Sequence, residues 1–396
     1  MNASLVRVMG VSRMIVVWSV SMGLAACTET AGVPLDVMVI SVDTLRADRV
    51  TPDLMPSVVA LRKKGMNFSQ AHSPANESLL SHAALFTGRP ASDWGELNYI
   101  DYRLPNTAHT LAQAFSDAGY RTHAVVGGGH VSAVFGFDNG FDKFDSGTHF
   151  SGFAQTIPMA IESLREPSEN ARFFFIHGYD CHTPYIKPGP AGRAMTPGYS
   201  GPFLALAHNP VTYERIHKNQ YAPDFEPNQI FTERGPSFLS TDMFDALPKH
   251  IAESSSTITM NDEDLAFLIG TYDAAVLYAD MWLEILFQEI SALDRWDRTV
   301  IAIISDHGED LLDHGVFNHR AGLWDSTTHV PMIIVGPGIP PITVDTPVST
   351  RDLGATLLGA VGIDDHQFPG VDWHNHPPAD RPPVLSEGMG LEPVFR

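Results

Sequence analysis

Cysteine is almost missing: only Cys27 and Cys181 occur in 396 residues. So few thiols cannot build a disulfide framework, and a hydrophobic core must hold the fold instead. Basic residues are scarce as well, 25 against 46 acidic ones, and the formal charge of −21 would repel DNA or RNA. A nucleic-acid role is therefore discounted. The apolar run from Met14 to Ala26 is too short to span a bilayer, which takes roughly 20 residues. Repeats and low-complexity tracts are absent too. What is there is an apolar fraction of 44% and a charged fraction of 18%, the composition of a folding chain rather than a disordered one. The length suits a large α/β enzyme domain.

Arg7 and Arg13 precede the run Met14 to Ala26, so the N-terminal segment reads as a signal peptide. It closes in Leu24-Ala25-Ala26-Cys27, which resembles a bacterial lipobox. That resemblance implies removal of residues 1–26, lipidation of Cys27, and a tether over 27–35 that ties residues 36–396 to a membrane. The alternative is an ordinary signal peptide or short anchor that ends near a cysteine. Thr28 rather than Asp follows the cysteine, which in a Gram-negative cell implies the outer membrane. The expected location is thus the bacterial cell envelope, as a lipoprotein facing the periplasm.

Asp36 to Asp43 (DVMVISVD) is an apolar, β-branched run that predicts a buried strand. Similar runs occur at Thr122–Val126, Arg172–His177, Thr299–Ser305 and Pro331–Val335. Helical patterns separate them at Leu54–Lys64, Thr107–Ala118, with Gly119 as its C-terminal stop, and Asp262–Leu293. Strands alternating with helices predict an α/β fold, a mostly parallel central sheet with helices on both faces. Residues 186–253 differ, being rich in Pro, Gly, aromatics and amides with weak periodicity. They are expected to form an insertion that shapes a substrate pocket, against the plainer reading of a surface loop.

Ligands in such sheets bind beyond the carboxyl ends of strands. Asp43 and Asp306 each close a strand pattern, and a buried carboxylate is costly unless it is paired or bound to metal. The plain alternative for Asp43 is a helix N-cap. Ser78 precedes a helical apolar run, Leu79 to Phe86, where unpaired N–H groups and the helix dipole favour an anion. A simple N-cap serine would look the same. Ser305-Asp306-His307-Gly308 could offer a carboxylate and an imidazole to one cation, although alone it is more often a turn.

Together these stretches resemble the sulfatase-like N-terminal domain of the alkaline phosphatase superfamily. Asp180-Cys181-His182-Thr183-Pro184-Tyr185, the segment Thr110 to Asp145, and Tyr272–Asp280 leading to His329-Val330-Pro331 extend the likeness. It covers roughly residues 36–185 and 262–375. The resemblance implies that Asp43, Asp306 and His307 hold one divalent metal and that Ser78 is the nucleophile. It places His182 on the substrate anion, and Arg320 where a Lys often contacts the leaving oxygen or anion. His130, His319 and His329 are candidates for contact around that site, while His177, Asp273 and Asp280 read as structural and Cys181 as a bystander. The small C-terminal sheet subdomain of the family is expected to be reduced or missing.

Two departures shape the expected chemistry. Thr44 and His307 replace oxygen ligands usual in calcium sulfatases, so Mn²⁺ or Zn²⁺ is favoured over Ca²⁺ or Mg²⁺. Sulfatases of this family use formylglycine made within Cys/Ser-x-Pro-x-Arg, and here the run is Ser78-Leu79-Leu80-Ser81-His82. Formylglycine at Ser78 would give a hydrolase of sulfate esters, the leading expectation. Unmodified Ser78 favours a phosphate or phosphonate ester hydrolase or phosphotransferase, because a seryl phosphate can be released by water while a seryl sulfate lacks the second hydroxyl that expels sulfate. A non-catalytic envelope binding protein is the third reading. The expected partner in the enzymatic readings is a small-molecule or glycan ester.

Overall fold

In the computed structural model, Asp36–Val42 forms strand β1 with every residue buried. The structure describes residues 34–97, 101–147, 150–182, 185, 198–201, 229–231, 257–259, 261–314, 319–320, 322–363, 368–378, 383–388 and 391–395. The signal segment, Cys27 and most of its tether, and most of the expected insertion over 186–253 lie outside the described residues. Residues 34–396 make one compact unit. Among the described residues no helix is long and apolar enough to cross a membrane.

Two parallel neighbours flank β1, β6 (Arg172–Gly178) and β9 (Thr299–Ile304). Five more strands complete the sheet: β2 (Met66–Phe68), β4 (Arg121–Val126), β5 (Lys143–Ser146), β10 (Met332–Val335) and β11 (Thr343–Val344) around these, in the order β11-β2-β10-β9-β1-β6-β4-β5, eight strands counting β1, β6 and β9. Only β10 runs antiparallel to its neighbours, which makes the sheet mostly parallel, as expected. The expected strands match to within about a residue at their ends, the normal margin for such boundaries.

Helices cover both faces: α1 (Pro56–Arg62), α2 (Ser78–Thr87), α3 (Leu111–Asp117), α4 (Phe153–Arg165), α5 (Asp262–Ala292), α6 (Asp325–Thr328) and α7 (Leu353–Ala360). The two-residue period of β1 divides the core. Met38, Ile40 and Val42 pack with Val58 of α1, Ile157 of α4 and Leu283 of α5. Val37 and Val39 pack with Leu80 of α2, Leu111 of α3 and Leu357 of α7. A strand apolar on both faces has no solvated side, which is why its sequence runs without alternation.

Capping fixes where helices begin. Thr110 accepts a bond from the Gln113 amide at the start of α3, and Asn261 and Asp264 form a reciprocal capping box on α5. The first turn of α1 has no cap of its own; Asp280 of α5 accepts from the Ser57 and Val58 amides, both at 3.0 Å. Three two-stranded pairs lie outside the main sheet: β3 (Ala71–His72) parallel to β12 (Val348–Ser349), β7 (Gln229–Phe231) antiparallel to β8 (Thr257–Thr259), and an antiparallel hairpin of β13 (Leu385–Gly388) with β14 (Leu391–Phe395).

Candidate active site

The carboxyl ends of β1, β6 and β9 lie side by side, so residues distant in sequence converge there. Asp43 follows β1, and its amide bonds to the Gly178 carbonyl of β6 at 3.1 Å. Asp306 and His307 follow β9. Ser305, between strand and ligands, bonds through its hydroxyl to the His307 carbonyl and receives the Leu45 amide, locking the two loops together. Gly308 admits no side chain, because a Cβ there would stand 2.1 Å from the Ser326 carbonyl oxygen.

Asp43, Asp306 and His307 are buried, and one side-chain ligand atom from each lies within 4.8 Å of the others. Asp306 Oδ1 is held by the Thr44 amide at 3.0 Å and the His307 amide at 2.9 Å. Its Oδ2 is buried and receives no hydrogen bond. Such an orphan would be costly in a purely structural site. The His307 Nδ1–H donates to the Gly308 carbonyl at 2.9 Å, which leaves the Nε2 lone pair of the neutral ring facing the carboxylates. Two carboxylates in one dry pocket also oppose each other. Burial and then the charge of Asp306 push the Asp43 carboxyl well above its usual range. Burial acts the same way on Asp306, but His307, His82 and His177 outweigh it and hold that group low. An unpaired oxygen, an outward lone pair and two opposed carboxylates are what a divalent cation would satisfy, so these residues fit a metal.

Ser78 is the first residue of α2, and the N-cap is Glu77 in extended conformation. The serine is therefore not a plain cap. Its Oγ lies 3.0 Å from Asp43 Oδ2 and 3.1 Å from His307 Nε2. One turn later His82 donates Nδ1–H to the Ser78 carbonyl at 2.7 Å and takes Ser41 Oγ at Nε2. Thr44 sits at φ 62, a left-handed conformation uncommon for a β-branched residue, and such strain costs on the order of 1–3 kcal/mol and gathers at functional sites. Tyr272 of α5 braces that turn by donating to the Thr44 carbonyl at 2.8 Å and accepting the Arg46 amide at 3.1 Å.

The remaining candidates divide. His319 is buried with its ring 4.2 Å from that of His307, and its Nδ1 lies 3.2 Å from Glu309 Oε1. His182 is buried 5.6 Å from His319 and stacks on Phe150. His130 packs against the same Phe150 and takes the Tyr179 hydroxyl oxygen at its amide. Arg320 places Nε 3.2 Å from Glu77 Oε1. His329 goes elsewhere: it ends α6 with Nε2 on the Ser69 carbonyl at 2.9 Å and its ring beside His72. The chain turns there to enter β10. Cys181 is a free, buried thiol.

Four site residues were not assigned by sequence reasoning. His177, read as structural, reaches Asp43 Oδ2 with Nε2 at 3.3 Å while the Gly127 amide faces its Nδ1. Its signal was position, since His177 pairs in register with Ser41 two residues before Asp43. His82 lies a helical turn beyond Ser78, a spacing that could have shown it. Glu77 and Glu309 carry no local signal. Burial raises Glu77 to about 7, opposed by Arg320 and His307, and raises Glu309 to about 8 despite the Tyr185 hydroxyl bond at 2.7 Å.

Comparison with known proteins adds the family context. A family model described as Sulfatase matches residues 28–363. A sulfatase of Formosa agariphila is 24% identical over 347 residues, 78% of this chain and 64% of that protein, so the chain spans less than two thirds of that relative. A solved phosphonate monoester hydrolase of Agrobacterium radiobacter superposes with TM-score 0.63 at 19% identity, over 89% of this chain and 80% of that one. A protein solved in complex with its substrate D-glucosamine-2-N,6-O-disulfate gives TM-score 0.65 at 16% identity, over 90% and 84% of the two chains. At such identities the structural likenesses speak for the fold.

Proposed function

The chain belongs to the sulfatase family, and on that premise we propose that it is a metal-dependent hydrolase of sulfate esters acting through the Ser78 position. The observation that carries this reading is the placement of Ser78 Oγ within 3.1 Å of both Asp43 Oδ2 and His307 Nε2 at the start of α2. Asp43, Asp306 and His307 would hold the metal, with Mn²⁺ or Zn²⁺ favoured by the imidazole. A divalent ion there supplies Lewis-acid polarisation of the ester and steadies negative charge on the nucleophile.

The chain's own residues do the rest. Ser78 Oγ lies 3.0 Å from Asp43 Oδ2, a contact that orients the oxygen at this position for attack; in the sulfate reading that oxygen belongs to a formylglycine hydrate, whose second hydroxyl expels the sulfate, and in the phosphoryl reading to the serine itself, released by water. His177 and Thr44 hold the Asp43 carboxylate, and His82 fixes the first turn of α2 through the Ser78 carbonyl. His182 and Arg320 provide donors for the oxygens of the transferred group. A small aryl or glycan ester is the substrate class this reading takes, in keeping with the disulfated sugar bound by one structural neighbour.

A second reading, hydrolysis of phosphate or phosphonate esters or phosphotransfer, is favoured by one observation. His82 stands where the formylglycine signal has Arg, and it is fully buried against the Ser78 carbonyl. An unmodified serine would serve phosphoryl transfer. The mass of the tryptic peptide spanning residues 65–103, from protein made in its native host, separates the two. A loss of two hydrogens at Ser78 means formylglycine and a sulfatase. An intact serine with bound metal means phosphoryl chemistry, and an intact serine without metal or turnover means a binding protein. The reading also keeps Cys27 as a lipid anchor facing the periplasm. Cys27→Ser should move the protein from the membrane fraction to the soluble one, and unchanged membrane association would defeat the anchor.

A further inference from the structure

The residues just before Ser78 clamp a loop from the other side of the site. Asn76 Nδ2 donates to the His319 carbonyl at 2.7 Å and to the Gly322 carbonyl at 3.0 Å. Glu77, which is buried, faces Arg320 Nε at 3.2 Å. The backbone around Arg320 is thus held at His319 and Gly322, and its guanidinium is met by the carboxylate of the residue that adjoins Ser78. Glu77 makes no capping bond to α2, so its side chain is spent on Arg320 rather than on the helix.

The charges around Ser78 pair off. Asp43 and Asp306 form the cluster that fits a divalent cation. Glu77 offsets Arg320, and Arg46 is occupied by Asp48 and Asp313. Among these, Glu77 is the carboxylate set directly against Arg320, one residue before Ser78. In a site this dry an unbalanced charge weighs heavily.

We propose that Glu77 is a specificity-determining residue: by neutralising Arg320 it restricts the site to esters whose transferred group carries a single negative charge, such as sulfate monoesters, phosphodiesters and phosphonate monoesters, and excludes dianionic phosphate monoesters. The proposal rests on the hydrolase reading above. Glu77 acts through Arg320, whose guanidinium is the group facing the substrate.

The test compares three para-nitrophenyl esters with one leaving group: the sulfate, the phenylphosphonate and the phosphate. Metal-replete enzyme is assayed at about pH 8.5, where the phosphate ester is fully dianionic. Wild type is expected to favour a monoanion. Glu77→Gln should raise the ratio of kcat/KM for the phosphate over that monoanion by about tenfold or more. Glu77→Asp should keep the wild-type ratio, and Arg320→Gln should move it the opposite way. Calorimetric titration with inorganic phosphate gives an independent readout, with tighter binding expected in Glu77→Gln. If Glu77→Gln and Arg320→Gln lower all three esters in parallel and phosphate binding is unchanged, Glu77 is a structural residue and the proposal is overturned while the hydrolase reading stands. Wild-type enzyme that turns over none of the three would instead overturn the hydrolase reading, and the proposal with it.

Discussion

At the amino ends of β1, β6 and β9, Asp36 meets Arg172 and Arg295; at their carboxyl ends, about 20 Å along the strands, Asp43 meets Asp306. Both clusters are buried, and the same three strands build them. Asp36 is satisfied at each oxygen, Oδ1 by the Arg172 amide at 2.9 Å and Oδ2 by Arg172 at 3.0 Å and Arg295 at 2.9 Å. The carboxyl-end cluster holds two carboxylates without a guanidinium, and Asp306 Oδ2 is left without a hydrogen bond. The first arrangement completes itself, whereas the second needs something from outside. Burial of charge does not distinguish structure from function; the state of its partners does.

The contrast breaks first at Ser78. Ser78→Ala should lower kcat by about a thousandfold or more and leave the melting temperature within about 2 °C. Chelation with EDTA should abolish the same activity, and readdition of Mn²⁺ or Zn²⁺ should restore it to wild type but not to the variant. Steady-state kinetics beside calorimetry would show it, and an active Ser78→Ala enzyme would remove the nucleophile.

Asp36 should behave in the reverse manner. Asp36→Ala strands Arg172 and Arg295, one deeply buried, and should cost about 3–5 kcal/mol in denaturant unfolding. The molecules that remain folded should keep their kcat and metal content. A loss of turnover with unchanged stability would mean that the amino-end cluster is coupled to the site after all.

Glu309 sharpens the comparison through pH. Burial holds its carboxyl at about 8 against 4.5 in a free chain. Between those values the native state keeps a proton that the unfolded chain has lost, so this group's contribution to stability falls as pH rises. In metal-free protein, wild type should lose stability relative to Glu309→Gln across about pH 4.5 to 8, on the order of 5 kcal/mol in all. Parallel stability curves for the two proteins would remove the effect.

How much of this was legible in the sequence follows the same division. β1, β4, β6, β9 and β10 announced themselves as apolar runs, because strands buried on both faces need no polar alternation. Asp43, Ser78, Asp306 and His307 were legible because each stands at an element's edge and the four follow a known order. The contact of His177 with Asp43 was not legible, since nothing local tells that β6 lies beside β1; that adjacency exists only in the folded sheet. Glu77 and Glu309 were invisible for a related reason, as a buried carboxylate and an exposed one look alike in sequence. His329 looked like a site residue by proximity to the metal motif, yet the turn into β10 carries its ring to Ser69. The short strands β2, β5 and β11 also escaped notice, being held by neighbours rather than by their own propensity.

Asp280 gives the finest test of the distinction. It is a buried carboxylate like Asp43, and burial raises its pKa in the same direction. Yet both of its oxygens are engaged, one by the Ser57 amide and one by the Val58 amide, at 3.0 Å each. It serves as the missing cap of α1, supplied from α5, as its place on the helix face suggested. Asp280→Ala leaves two amides at the start of α1 without acceptors and should cost about 1–2 kcal/mol. Activity and metal binding should not change, since α1 packs on the sheet away from Ser78. If urea unfolding showed no loss, pairing at both oxygens would not mark a structural carboxylate, and the contrast between Asp36 and Asp306 would lose its second example.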